Sequence, residues 1–108
     1  MTEQVDDDAR GDDARGEADK RREAVLRTFF GPDGRLVSMP ARMGKRQFVL
    51  EQIAYAFEPG VKYTELEVNA ILRAFWDDYV SVRRYLIDAG LLGREQGLYW
   101  RTGGYVDI

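Results

Sequence analysis

The sequence predicts a mainly helical domain with a small β-sheet. Four stretches space their apolar residues three and four apart, as one face of a helix requires. Glycine and proline punctuate the chain between them, and two short apolar runs flank a glycine turn near the C-terminus. At 108 residues and 44% hydrophobic, the chain has the size of one globular domain and not two.

The first helix is expected over residues 20–30, with Val25, Leu26, Phe29 and Phe30 on one side. Gly31-Pro32-Asp33-Gly34 is a turn signal that stops it. Arg35-Leu36-Val37-Ser38-Met39 reads as a short strand closed by Pro40. A second helix is expected from about Gly44 to Phe57, where Phe48, Val49, Ile53, Ala56 and Phe57 lie at helical spacing, and Glu58-Pro59-Gly60 ends it. Tyr63-Thr64 opens a third helix. Thr64 and Glu67 have the spacing of a capping box, and Leu66, Val68, Ile71, Leu72 and Phe75 form the inner face. Asp77 or Asp78 caps a fourth helix running to about Ala89, with Tyr79, Val82, Leu86 and Ile87 inward and Gly90 as its left-handed terminator. Leu91-Leu92-Gly93-Arg94 and Leu98-Tyr99-Trp100-Arg101, around Glu95-Gln96-Gly97, read as a β-hairpin. Helix, strand, three helices, hairpin is the order of a winged helix, and the strand at 35–39 offers the hairpin a third partner.

Charge divides the chain. Residues 1–19 hold eight acidic and two basic side chains, include Asp-Asp-Ala-Arg-Gly twice in tandem, and have no apolar face to bury. They read as a disordered acidic tail that solubilises the protein or competes with nucleic acid for its basic surface. Residues 20–102 form the expected domain and 103–108 a short C-terminal tail. The whole chain carries −3, so the part after residue 19 is mildly basic. No apolar run approaches a membrane span and the N-terminus lacks the basic, then apolar, pattern of a signal peptide, so the expected location is the cytoplasm with no membrane partner. The absence of cysteine suits that compartment.

Several spaced motifs recur in one order: Gly34-Arg35-Leu36 with Pro40; Lys45-Arg46 with Val49-Leu50; and Phe57, Gly60, Tyr63, Glu65 and Glu67-Val68-Asn69. The longest follows, Asp78 through Val82-Arg83-Arg84, Leu86-Ile87-Asp88, Gly90-Leu91-Leu92 and Arg94, and Gly97 with Tyr99-Trp100-Arg101 closes the set. In these the chain resembles the bacterial domain of unknown function 2087 family, over about residues 20–102. The resemblance implies a bacterial, regulation-linked protein, because some members are labelled transcriptional regulators. It hands on no catalytic residue, since the family has no established activity.

Catalytic motifs are missing. Without histidine or cysteine the commonest general base, the thiolate nucleophile and most zinc sites are absent. Gly44-Lys45 lacks both the upstream glycine and the following Ser or Thr of a phosphate loop. Asp6, Asp8, Gly11 and Glu17 imitate a calcium loop, but Arg10 stands at a ligand position. The expectation is a binding protein that is not an enzyme and takes no cofactor or metal.

Cations offer more. Between Lys20 and Arg46 eight basic residues face two acidic ones. Such an excess either gathers phosphates by releasing counterions or is simply a solvated face. In winged helices the second helix of the helix–turn–helix enters the major groove and the hairpin touches the backbone. The fourth helix is that element here, with Ser81, Arg84, Tyr85 and Asp88 outward and Arg83 at the margin. Arg84 would read guanine or hold a phosphate, and Arg94 and Arg101 would be phosphate contacts from the hairpin. Arg42, Lys45 and Arg46 complete the candidate DNA-binding set. Against it stand Asp77 and Asp78 at the helix tip, and the equal expectation that Arg83 and Arg84 pair with acidic neighbours. The first function read from the sequence is therefore a winged-helix DNA-binding domain of a bacterial transcriptional regulator. The alternative is a protein-interaction or regulatory module on the same frame, meeting a partner through Tyr85 and Trp100, and a homodimer through Phe29 and Phe30 is a further option.

Overall fold

The computed structural model describes residues 3–103, and their side chains from Gly16 onward. It contains four helices and a small three-stranded antiparallel sheet. α1 spans Glu3–Phe29, so its backbone passes residue 19 without a break and starts well before the apolar face that begins at Val25. Beyond Gly103 the expected C-terminal tail lies outside the described residues.

The segment after α1 corrects the first strand. Asp33 Oδ1 accepts from the Arg35 amide at 3.0 Å, and Gly34 adopts φ 83°, which folds the chain back on itself. Leu36 then makes one antiparallel bridge with Phe30 and no ladder. Its amide donates to the Phe75 carbonyl at 2.9 Å, so the backbone here is engaged by the turn between the third and fourth helices and cannot serve the hairpin.

α2 is Met43–Ala54, ending three residues before its apolar spacing suggests. Residues 55–57 continue as a tighter turn with bonds three residues back, which brings Phe57 into the core against Tyr63 at a ring-centroid distance of 5.2 Å. β1, Tyr63–Thr64, supplies the third strand that 35–39 does not, pairing Tyr63 with Tyr99 and Thr64 with Leu98. Thr64 also caps α3, Glu65–Arg73, by the expected box. The Glu67 amide donates to Thr64 Oγ1 at 3.2 Å and the Thr64 amide to Glu67 Oε1 at 2.8 Å. Because Leu66 occupies the first turn on the solvent side, it is 80% exposed and not part of the inner face.

α4, Tyr79–Asp88, is capped by Asp78 and ends in a Schellman motif. Gly90 sits at φ 74°, its amide donates to Ile87 and the Leu91 amide to Leu86. β2, Leu92–Glu95, and β3, Leu98–Arg101, form the hairpin across Gln96 and Gly97, both at positive φ as a type I′ turn demands. β3 is the central strand. Gly93 lies opposite Trp100, and a Cβ there would come within 2.8 Å of the indole, so the ring needs glycine beneath it. The core gathers Val49, Ile53 and Phe57 with Val68, Leu72, Val82 and Leu86, and Leu92 and Tyr99 close it from the sheet. Phe29 and Phe30 pack on this core within the one chain, Phe30 edge-on to Phe75 at 6.4 Å.

Candidate nucleic-acid interface

The α3–α4 turn is pinned by one arginine. Arg35 donates to the carbonyls of Arg73 and Ala74 at 2.9 and 3.0 Å and to Asp77 at 3.0 Å. Its charge thus caps the negative end of α3 while its fork holds the loop that aims α4. Of the two candidate caps, Asp77 is occupied by this contact and Asp78 takes the helix terminus. The Ser81 amide donates to Asp78 Oδ1 at 3.2 Å and the Ser81 hydroxyl to Oδ2 at 2.7 Å. The Ser81 hydroxyl, then its amide, hold the Asp78 carboxyl below its ordinary value, and the charge of Arg84 adds a smaller pull.

Arg83, Arg84 and Arg94 come together. They line a cleft of about 310 Å³ between α4 and β2, with Val80 and Ile87 as apolar walls and Asp88 as its one acidic lining residue. The three are not equivalent. Arg83 is half-buried, donates to Asn69 Oδ1 and lies 3.9 Å from Glu65, so α3 neutralises it. Arg84 and Arg94 are exposed. Among the described residues neither makes a salt bridge, and Arg94 rests over the Tyr99 ring at 5.9 Å. Tyr99 itself is fully buried, with its hydroxyl 3.0 Å from Glu65. Burial, then that hydrogen bond, push its phenol above the usual range.

The remaining candidates lie elsewhere. Arg46 is stacked on Tyr85 at 4.4 Å and donates to the Ala41 carbonyl, lining a hollow of about 230 Å³ between α2 and α4. Asp88 borders this hollow too, so it adjoins the arginine cleft. Arg42 and Lys45 are exposed on the other flank of α2, where with Arg21 they rim a groove floored by Val25 and Phe48. Arg101 turns away from the hairpin tip. It donates to the carbonyls of Gly103 and Phe57 and stacks on Tyr55 at 5.1 Å, and so joins the sheet to the end of α2. Ser81 is absorbed by the Asp78 cap.

Two contributors were missed by reading residues one at a time. Val80, 45% exposed, and Ile87 flank the free arginines and make the cleft partly apolar. The Arg46–Tyr85 stack covers an aromatic that the outward helical spacing leaves bare. A basic residue on α2 at the right distance was the only sequence signal for it. Trp100 is likewise covered, by Lys62 at 5.3 Å. Chemically, an exposed pair of guanidiniums across a groove can hold phosphate oxygens. Among the described residues no three carboxylates gather as a metal site, and no helix is long and apolar enough to cross a membrane.

A family described as an uncharacterized protein conserved in bacteria (DUF2087) matches residues 35–101, a span that opens at Arg35 and closes at the end of β3. No curated protein and no solved structure matches the chain.

Proposed function

We propose, from the premise that the chain belongs to the DUF2087 family of bacterial proteins, that it is a winged-helix-type module that binds duplex DNA in bacterial transcriptional regulation. On this reading α3, the pinned turn and α4 form the helix–turn–helix, β2 and β3 form the wing, and the protein works in the cytoplasm as a binding protein and not an enzyme. One observation carries it: Arg84 on α4 and Arg94 on β2, both exposed and without an acidic partner among the described residues, face one cleft at the junction of helix and hairpin. Two phosphates of a DNA backbone suit that pair, and Arg83 adds to the local field although α3 holds it.

Fluorescence anisotropy with a labelled random duplex tests the reading. Neutralising two or three phosphates predicts a loss of affinity of about 10- to 40-fold between 50 and 200 mM salt. A flat or absent signal overturns it. That result favours a second reading, a protein-interaction module, for which Leu66 at 80% and Met43 at 74% exposure are the motivating observations.

A further inference from the structure

We infer that the α4–β2 cleft grips duplex DNA by its phosphates and reads little or no base sequence. The inference rests on the DNA-binding reading and narrows its target class.

A groove-entering helix reads bases with donors and acceptors near its N-terminus. On α4 several of those groups are already engaged. Asp78 and the Ser81 hydroxyl are bonded to each other at 2.7 Å, which removes the Ser81 hydroxyl from contact with a base. Tyr79 is half-buried beneath Arg73, at 4.5 Å. Val80 is exposed but has no hydrogen-bonding group. Arg83, the next polar side chain, is bound to Asn69 and 3.9 Å from Glu65. The Tyr85 ring is stacked under Arg46. Arg84 is left as the first exposed polar side chain without a bonded partner, and it shares its cleft with Arg94 rather than standing alone on the helix crest.

The charges at the two approaches to a groove add to this. The Asp78 carboxylate sits at the helix tip, and its hydrogen bonds to Ser81 keep it ionised. The hairpin turn begins with exposed Glu95. Both carboxylates repel a phosphate backbone that closes around the helix tip or the wing tip. Between them lie Arg84 and Arg94, whose two charges, with the half-buried Arg83 beside them, outnumber the one carboxylate lining the same cleft, exposed Asp88. The surface therefore suits two neighbouring phosphates on one strand more than a helix driven into the groove floor. Contacts of that kind fix position and carry no sequence information.

The test uses the full chain and a pool of duplexes randomised over about 20 base pairs, carried through repeated rounds of binding and sequencing. The expected result is bulk retention of the pool at low salt with no enriched motif. In the same assay Arg84→Gln and Arg94→Gln each weaken binding to every sequence equally and reduce the salt slope by about one. An enriched motif, or an Arg84→Gln variant that loses preference at a single base position, overturns the inference and leaves DNA binding standing. Failure to retain any duplex overturns DNA binding and the inference with it.

Discussion

The turn between α3 and α4 and the cleft between α4 and β2 use the same residue types to opposite ends. In the turn, the Arg35 guanidinium meets two backbone carbonyls and Asp77, so its donors are committed within the fold. In the cleft, Arg84 and Arg94 have no acidic partner among the described residues, although Asp88 borders the same space. A charge count treats these arginines alike. The distinction lies in where the donors end: against carbonyls at a helix terminus, or in solvent across a groove.

That contrast can be broken or sharpened by substitution. The largest expected effect is on the cleft side. Arg84→Gln combined with Arg94→Gln should lower duplex affinity by about 100-fold at low salt while the thermal midpoint stays within about 2 °C, checked by anisotropy and by circular dichroism. Next, Arg35→Ala should do the reverse. It removes bonds to exposed partners, Asp77 being 97% exposed, worth about 1 kcal/mol together, lowering the midpoint by a few degrees with affinity of the folded protein unchanged. If Arg35→Ala instead weakened DNA binding at constant stability, the two regions would not be distinct. Arg83 sharpens the comparison, because it lies in the cleft but is bonded like Arg35. Arg83→Ala should cost about 1 kcal/mol of stability and leave the salt slope nearly unchanged, so that position alone does not make a cation a DNA contact.

Smaller effects come from pH, and their signs differ. The Tyr99 phenol titrates above its ordinary 10.0 in the fold because burial, then Glu65, favour the protonated form. A raised folded value means its contribution is intact below pH 10.0 and is lost as pH climbs through the folded value. Tyr99→Phe should flatten the alkaline limb of a urea-midpoint profile. The Asp78 carboxyl is shifted the other way, from 3.8 downward, so its contribution is present above that value and fades as pH falls through the lower one. Ser81→Ala, which removes the largest cause, should bring that acid limb back toward the ordinary carboxylate range, read by NMR titration of Asp78.

Much of the fold was legible because local chemistry and tertiary structure agree. The Thr64–Glu67 box, the Asp78 cap, Gly90 and the Gln96-Gly97 turn are each specified by residues a few positions apart, and each forms where its pattern lies. The strand at 35–39 failed for the opposite reason. Its β-like composition is real, but the Leu36 amide is taken by Phe75, thirty-nine residues along the chain, and no local pattern announces that. Tyr63-Thr64 was hidden by its own cap signal, since a strand of two residues and a helix start overlap there. At the candidate site, helical spacing placed Arg84 outward, whereas its sharing a cleft with Arg94 is a product of the fold. It could not show that Asn69 and Glu65 take Arg83, or that Arg101 reaches back to Phe57, because such partners are distant in sequence.

Glu65 joins three elements: it begins α3, accepts from Tyr99 of β3 and lies beside Arg83 of α4. The gap between helix and hairpin is therefore braced from within the chain before any ligand arrives. A gap held at one width can be entered without moving its backbone, so the freedom surrendered on association is mainly that of the exposed Arg84 and Arg94 side chains. On the proposed DNA-binding reading, encounter should then be quick, limited by diffusion and salt rather than by a conformational step.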